Sequence, residues 1–140
     1  MTASASLQLR SDLAELTRLA VWIGTWAEQH GVADETAQQL DLCAAEAVTN
    51  IMTHGAAAAG EIAVRIGHDG DDVVLEIEDD GIAFDPTQAP PPAPVTLASD
   101  AVGGWGIRIV MKLSDEVRYR RSDGRNRLTL VFHPRPPAAA

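Results

Sequence analysis

Glu46 and Asn50 stand one helical turn apart in "EAVTN", and His54 follows after one more turn. Positions four apart on a helix share a face. A carboxylate, a carboxamide and an imidazole in one row make a strip that can hold a hydrated cation and orient a reacting hydroxyl or water. Magnesium takes oxygen ligands and keeps several waters, so Asn50 suffices as the protein ligand when phosphates supply the rest. The same spacing also describes a polar edge on a surface helix, and the strip alone does not choose between them.

A second candidate lies in "VVLEIEDDG". Period-two alternation puts Val73, Leu75, Ile77 and Asp79 on one face, so Asp79 ends an apolar row while Asp80 points away. A buried carboxylate requires hydrogen-bond donors. The exocyclic amine of a flat base is a fitting one, and Gly81 would let a ring approach the backbone. The competing reading has Asp79 begin the turn and cap its amides. Third, Gly103, Gly104 and Gly106 precede a helix in "GGWGIRIVMKL", where exposed N–H groups and the helix dipole attract phosphate oxygens. Trp105, between them, reads as a packing or lid residue.

Several chemistries are excluded. The chain lacks G-x-x-x-x-G-K-[ST] and G-x-S-x-G. His30, His54, His68 and His133 are scattered, and one cysteine, Cys43, gives neither zinc spacing nor a disulfide framework. A reducing cytoplasm is the expected compartment, with no secretory signal and no apolar run long enough for a bilayer. The formal net charge of −9 argues against binding the nucleic-acid backbone. Arg118, Arg120, Arg121, Arg125 and Arg127 cluster nonetheless, and are expected to be the solvated faces of a hairpin.

One domain over 1–133 is expected, with a disordered tail over 134–140. Ser4 to Arg10 reads as a strand. Ser11 then caps a helix with a Leu13, Leu16, Ala20, Ile23 and Ala27 stripe, stopped at Gly31. Asp34 caps a second helix that runs to His54, with Leu40, Ala44, Ala47 and Ile51 in the core. Strands follow around Ile62–Ile66 and Val73–Asp79. A proline-rich segment, about 85–103, has the length of a functional lid. A short helix buried through Ile107, Val110 and Met111 and a hairpin turning at "SDGR" close the chain.

In this order, the three candidates resemble the boxes of the GHKL ATPases. "EAVTN" is similar to their E-x-x-x-N box, "DDGIAFDP" to D-x-G-x-[GA], and "GGWGI" to the second glycine box. "AAEAVTNIMTHG" and "GGWGIRIVMKLSDEVRY" resemble most the bacterial anti-sigma factors that are also serine-protein kinases, over about Leu7 to Phe132. The resemblance implies an α+β, two-layer α/β sandwich: the Bergerat ATP-binding fold, with a mixed, mostly antiparallel sheet. It implies that Glu46 is the general base, that Asn50 binds Mg²⁺, and that Asp79 accepts from the adenine amine while Gly81 makes room for the ring. Gly104 and Gly106 would cradle phosphates, with Gly103 and Ile107 in the same box. His54 matches a position often occupied by His, and Ala83 replaces a glycine of the longer box. Thr129 and Asn126 are the candidates for a water-mediated adenine contact.

The activity so implied is an ATP- and magnesium-dependent serine/threonine protein kinase. Its substrate would be a STAS-type anti-sigma-factor antagonist, and the same protein would sequester a sigma factor, as a homodimer, touching neither DNA nor membrane. The alternative is a nucleotide-binding regulatory module that holds a partner and phosphorylates nothing. A split histidine kinase fits less well, because no helix carries a phosphoacceptor histidine with a dimerisation hairpin.

Overall fold

The computed structural model describes residues 1–54, 60–88 and 102–134. Most of the expected lid, residues 55–59 and the expected tail beyond Pro134 lie outside the described residues. The elements run β1 (Thr2–Arg10), α1 (Glu15–Gln29), α2 (Asp34–His54), β2 (Glu61–Asp69), β3 (Asp72–Asp79), a 3₁₀ turn (Pro86–Gln88), α3 (Val102–Leu113), β4 (Glu116–Ser122) and β5 (Arg125–Phe132). The strands form one sheet in the order β1-β2-β3-β5-β4. All four pairings are antiparallel, so among the described residues the parallel component of a mixed sheet does not occur.

Alternation decides which face the helices cover. Ile62, Val64 and Ile66 of β2, Leu75 and Ile77 of β3 and Leu130 and Phe132 of β5 are 0–1 % exposed. They meet Leu19, Ile23, Trp26 and Ala27 of α1 and Leu40, Cys43, Ala44, Ala47 and Val48 of α2 in one core cluster. Each large aliphatic side chain so enclosed contributes roughly 1.5–3 kcal/mol of transfer free energy. The hairpin between β4 and β5 turns at Asp123 and Gly124, whose φ values of 53° and 74° are those of a primed turn. No helix among the described residues is long and apolar enough to cross a membrane.

The helix starts differ from the sequence expectation. Ser11 does not cap α1: Ala14 holds that place without a side-chain cap, and Asp12 accepts from the Ala14 N–H at 2.9 Å. The helix therefore begins later and its buried stripe rotates to Leu19, Ile23, Trp26 and Ala27, leaving Leu13 56 % exposed and Ala20 at the surface. Trp26 anchors this phase by donating its indole N–H to the Ala3 carbonyl at 3.1 Å. Asp34 lies in the first turn of α2, and the Ala33 carbonyl accepts the first helical bond from Ala37 at 2.9 Å. In α3, Ile107 and Val110 are buried as expected, but Met111 is 38 % exposed. Arg18 joins α1 to β1 through Glu15 and the Gln8 carbonyl.

Candidate functional site

Three elements meet at one end of the sheet. Helix α2 presents Ala47, Asn50 and Ile51, the end of β3 presents Asp79, and Ile107 comes from the first half of α3. With Ile82, Phe84, Pro86, Tyr119, Asn126 and Leu128 they line a cavity of about 40 Å³. Its walls are mostly apolar and its polar groups few, the make-up of a small-molecule site. That volume holds waters rather than a base. Ile82 and Phe84, 54 % and 42 % exposed, belong to the solvent-facing part of its lining.

Asp79 occupies its place because β3 alternates up to its last residue. It is 5 % exposed and pairs across the sheet with Ile62 on one side and Asn126 on the other. Its Oδ1 accepts the Gly81 N–H at 2.8 Å, an Asx turn, and Asn126 Nδ2 at 3.2 Å. The turn-capping reading of Asp79 and its placement in a cavity are thus both true, on one carboxylate. Asn126 also donates to the Ile82 carbonyl at 2.8 Å. Its own Oδ1 accepts from the Tyr119 hydroxyl and from Arg121 Nη1, and the same Nη1 donates to the Gly81 carbonyl at 3.0 Å. Downstream, Asp85 accepts from the Thr87 N–H at 2.9 Å and starts the 3₁₀ turn that shapes the cavity's rim.

Glu46 is half-buried on α2 and faces α3. A Cβ built on Gly106 would fall against its Oε2, so the glycine is what lets the carboxylate pass the first half of α3. Gly103, Gly104 and Gly106 do not precede this helix; they lie inside it, since α3 begins at Val102. The N–H groups of a first turn have no intrahelical partners, so the anion-attracting property survives the change of place.

Of the expected residues, the structure brings together Asn50, Asp79, Gly81, Ile107, Gly106 and Glu46. Ala83 is exposed between the two cavity-lining residues Ile82 and Phe84. His54 ends α2, and its side chain lies outside the described residues. Thr129 belongs elsewhere. Leu128 and Leu130 face the core, so Thr129 points to the opposite side of the sheet, beside Glu76, Arg118 and Arg127. Asn126, on the inward parity, is the polar β5 residue at the cavity.

Tyr119 and Arg121 are the residues that the sequence reading missed. The signal was parity: Val117, Tyr119 and Arg121 alternate on β4, and Val117 packs on the core. The other arginines of the cluster do form a solvated face. Arg125 and Arg127 reach Glu78 at 3.0 and 3.1 Å, and Arg118 reaches Glu116 at 3.3 Å. The Arg125 hydrogen bond, then that of Arg127, holds the Glu78 carboxyl below its ordinary range. Cys43, one turn before Ala47, is buried, and burial pushes its thiol up to about 11.

Comparison with known proteins agrees with this geometry. Residues 9–132 match the model of the histidine kinase-like ATPase domain. The serine/threonine-protein kinase BtrW of Bordetella bronchiseptica is 37% identical over 120 residues, covering 79% of this chain and 83% of that protein. The crystal structure of the RsbU and RsbW domains of a Mycobacterium tuberculosis protein superposes with a TM-score of 0.69 over 96% of this chain, at 19% identity. This chain spans 34% of that longer one, and the likeness is one of fold. Motifs, fold and matched length agree: the chain belongs to the histidine kinase-like ATPase domain family and has the GHKL fold of its RsbW-like members.

Proposed function

We propose that this protein binds ATP with Mg²⁺ and transfers the γ-phosphoryl group to a serine or threonine hydroxyl of a partner protein, a STAS-type anti-sigma-factor antagonist. The observation that carries this reading is the meeting of Asp79, Asn50 and Ile107 around one cavity while Glu46 packs on Gly106 of the adjoining helix. The donor set fits the ligand: a buried carboxylate for an amine, an amide oxygen for a hard cation, and a helix start for phosphates. The 37% identity to a protein named as a serine/threonine kinase supports transfer to a hydroxyl.

Each residue then has one task. Asp79 accepts from the adenine amine, and Ala47, Ile51 and Ile107 cover the ring. Asn50 would hold Mg²⁺, which when bound offsets phosphate charge and orients the γ-phosphoryl group. The first turn of α3 supplies N–H groups to phosphate oxygens. Glu46 takes the proton from the attacking hydroxyl as its oxygen bonds to phosphorus and the bond to the ADP oxygen breaks. Phosphoryl transfer depends mainly on positioning and charge compensation, so these parts suffice. Sequestration of a sigma factor by a homodimer in the cytoplasm completes the proposal, with the antagonist's phosphorylation state deciding which partner is held.

The test is incubation of purified protein with ATP radiolabelled at the γ position and a purified STAS-domain antagonist. Label on a serine or threonine of the antagonist, lost in Glu46→Gln, is the expected result. Tight partner binding with no transfer by the wild type would replace the kinase by a nucleotide-binding regulatory module.

A further inference from the structure

The hydrogen bonds behind Asp79 have a directionality that the family assignment does not explain. An asparagine amide is nearly symmetric in shape, so its neighbours decide which end is oxygen. Arg121 Nη1 lies 3.0 Å from Asn126 Oδ1, and a guanidinium can only donate. A flipped amide would set NH₂ against that guanidinium and a carbonyl oxygen against Asp79 and the Ile82 carbonyl. Arg121, with the Tyr119 hydroxyl on the same oxygen, therefore locks Asn126 with Nδ2 toward Asp79.

The lock has a consequence at the carboxylate. Asp79 Oδ1 receives two donors, Gly81 N–H at 2.8 Å and Asn126 Nδ2 at 3.2 Å. Among the described residues, its hydrogen bonds all fall on that oxygen, which leaves Oδ2 as the acceptor offered to a ligand. Arg121 also holds the Gly81 carbonyl and Asn126 the Ile82 carbonyl, so the turn after β3 is fixed to the β4–β5 hairpin at two points.

We propose that Asn126, locked by Arg121 and Tyr119, is a positioning residue that makes the site selective for purines with an exocyclic 6-amino group over 6-oxo purines. This rests on the proposed ATP site and adds to it. With Oδ1 occupied from behind, Asp79 presents a lone acceptor, which pairs with an amine and repels a carbonyl. Without Asn126 the carboxylate can rotate, and its preference is blunted. Guanine nucleotides gain relative to adenine nucleotides.

The experiment is calorimetric titration of ATP, GTP and purine riboside triphosphate, with magnesium, into wild type, Asn126→Leu and Arg121→Met. Folding is checked by circular dichroism. Wild type should prefer ATP to both other nucleotides, and each variant should reduce the ATP:GTP ratio by roughly tenfold, the factor for losing one hydrogen bond to a charged group. In an Asp79→Asn background, Asn126→Leu should leave the ratio unchanged, because the two act as a unit. A purely structural role would weaken all three nucleotides alike. If folded variants keep the wild-type ratio within twofold, the inference is overturned while the ATP site stands. If wild type binds no adenine nucleotide, both fall. Should Asn126→Leu fail to fold, the ratio in Arg121→Met decides in the same way.

Discussion

Gly106→Ala should separate the protein's stability from its proposed chemistry. The added Cβ would land on Oε2 of Glu46, while Cδ and Cβ of Glu46 would lie at 3.5 and 3.7 Å, in ordinary van der Waals contact. Only the end of a flexible side chain must yield, by a displacement on the order of 1 Å. Moving a side chain off its rotamer costs about 0.5–1.5 kcal/mol. Alanine in a helix interior gains about 0.5–1 kcal/mol over glycine. These nearly cancel, so the melting temperature should stay within about 4 °C of wild type. A reacting group misplaced by about 1 Å loses on the order of 100-fold in rate. Phosphoryl transfer at saturating ATP, measured beside a thermal melt, should show a large loss in the first and little change in the second. A stable variant that retains transfer within threefold refutes Glu46 as the base.

Three further outcomes are expected. Asn50→Ala should weaken magnesium-dependent ATP binding by roughly tenfold, and calorimetry showing unchanged affinity would remove it as a ligand. Asp72 beside His133, with Asp115 and Glu116 adding, raises the imidazole above its ordinary 6.5. The folded value exceeds the unfolded one, so this contribution is full below about pH 6.5 and disappears as pH rises through the raised value. His133→Gln should accordingly melt below wild type at pH 5.5 and match it at pH 9; an equal difference at both would contradict the linkage. The Cys43 thiol, buried and pushed up to about 11, should react with Ellman's reagent more slowly in the native protein than in guanidinium by at least about 10³-fold. Fast native labelling would mean that α2 is more open than described.

Much of this was legible because periodicity and burial agree. The alternation of β3 foretold Leu75 and Ile77 in the core and Asp79 at the end of that row, and Ile62, Val64 and Ile66 of the neighbouring β2 are buried with them. The i, i+4 spacing foretold Glu46 and Asn50 on one side of α2. Helix starts were less legible, because Asp12 and Glu15 use their carboxylates on nearby backbone N–H groups in place of a cap at Ser11. Tyr119 and Arg121 were hidden by composition. Among five arginines, four of them on the solvated side, nothing but strand parity marked Arg121 as the one turned toward Asn126. Thr129 was chosen by residue type, and parity put it on the wrong face. The histidine kinase-like domain match confirms the family, and the roles of individual residues rest on the geometry.

The central claim is that α2, the end of β3 and the start of α3 form one cleft for an adenine nucleotide. Titrating ATP into the wild-type protein by calorimetry, with and without magnesium, tests it most directly. Saturable binding of one ATP per chain is expected, weakened when magnesium is chelated and weakened roughly tenfold in Asp79→Asn. No detectable heat or saturation with any adenine nucleotide, at concentrations up to the millimolar range, would contradict it.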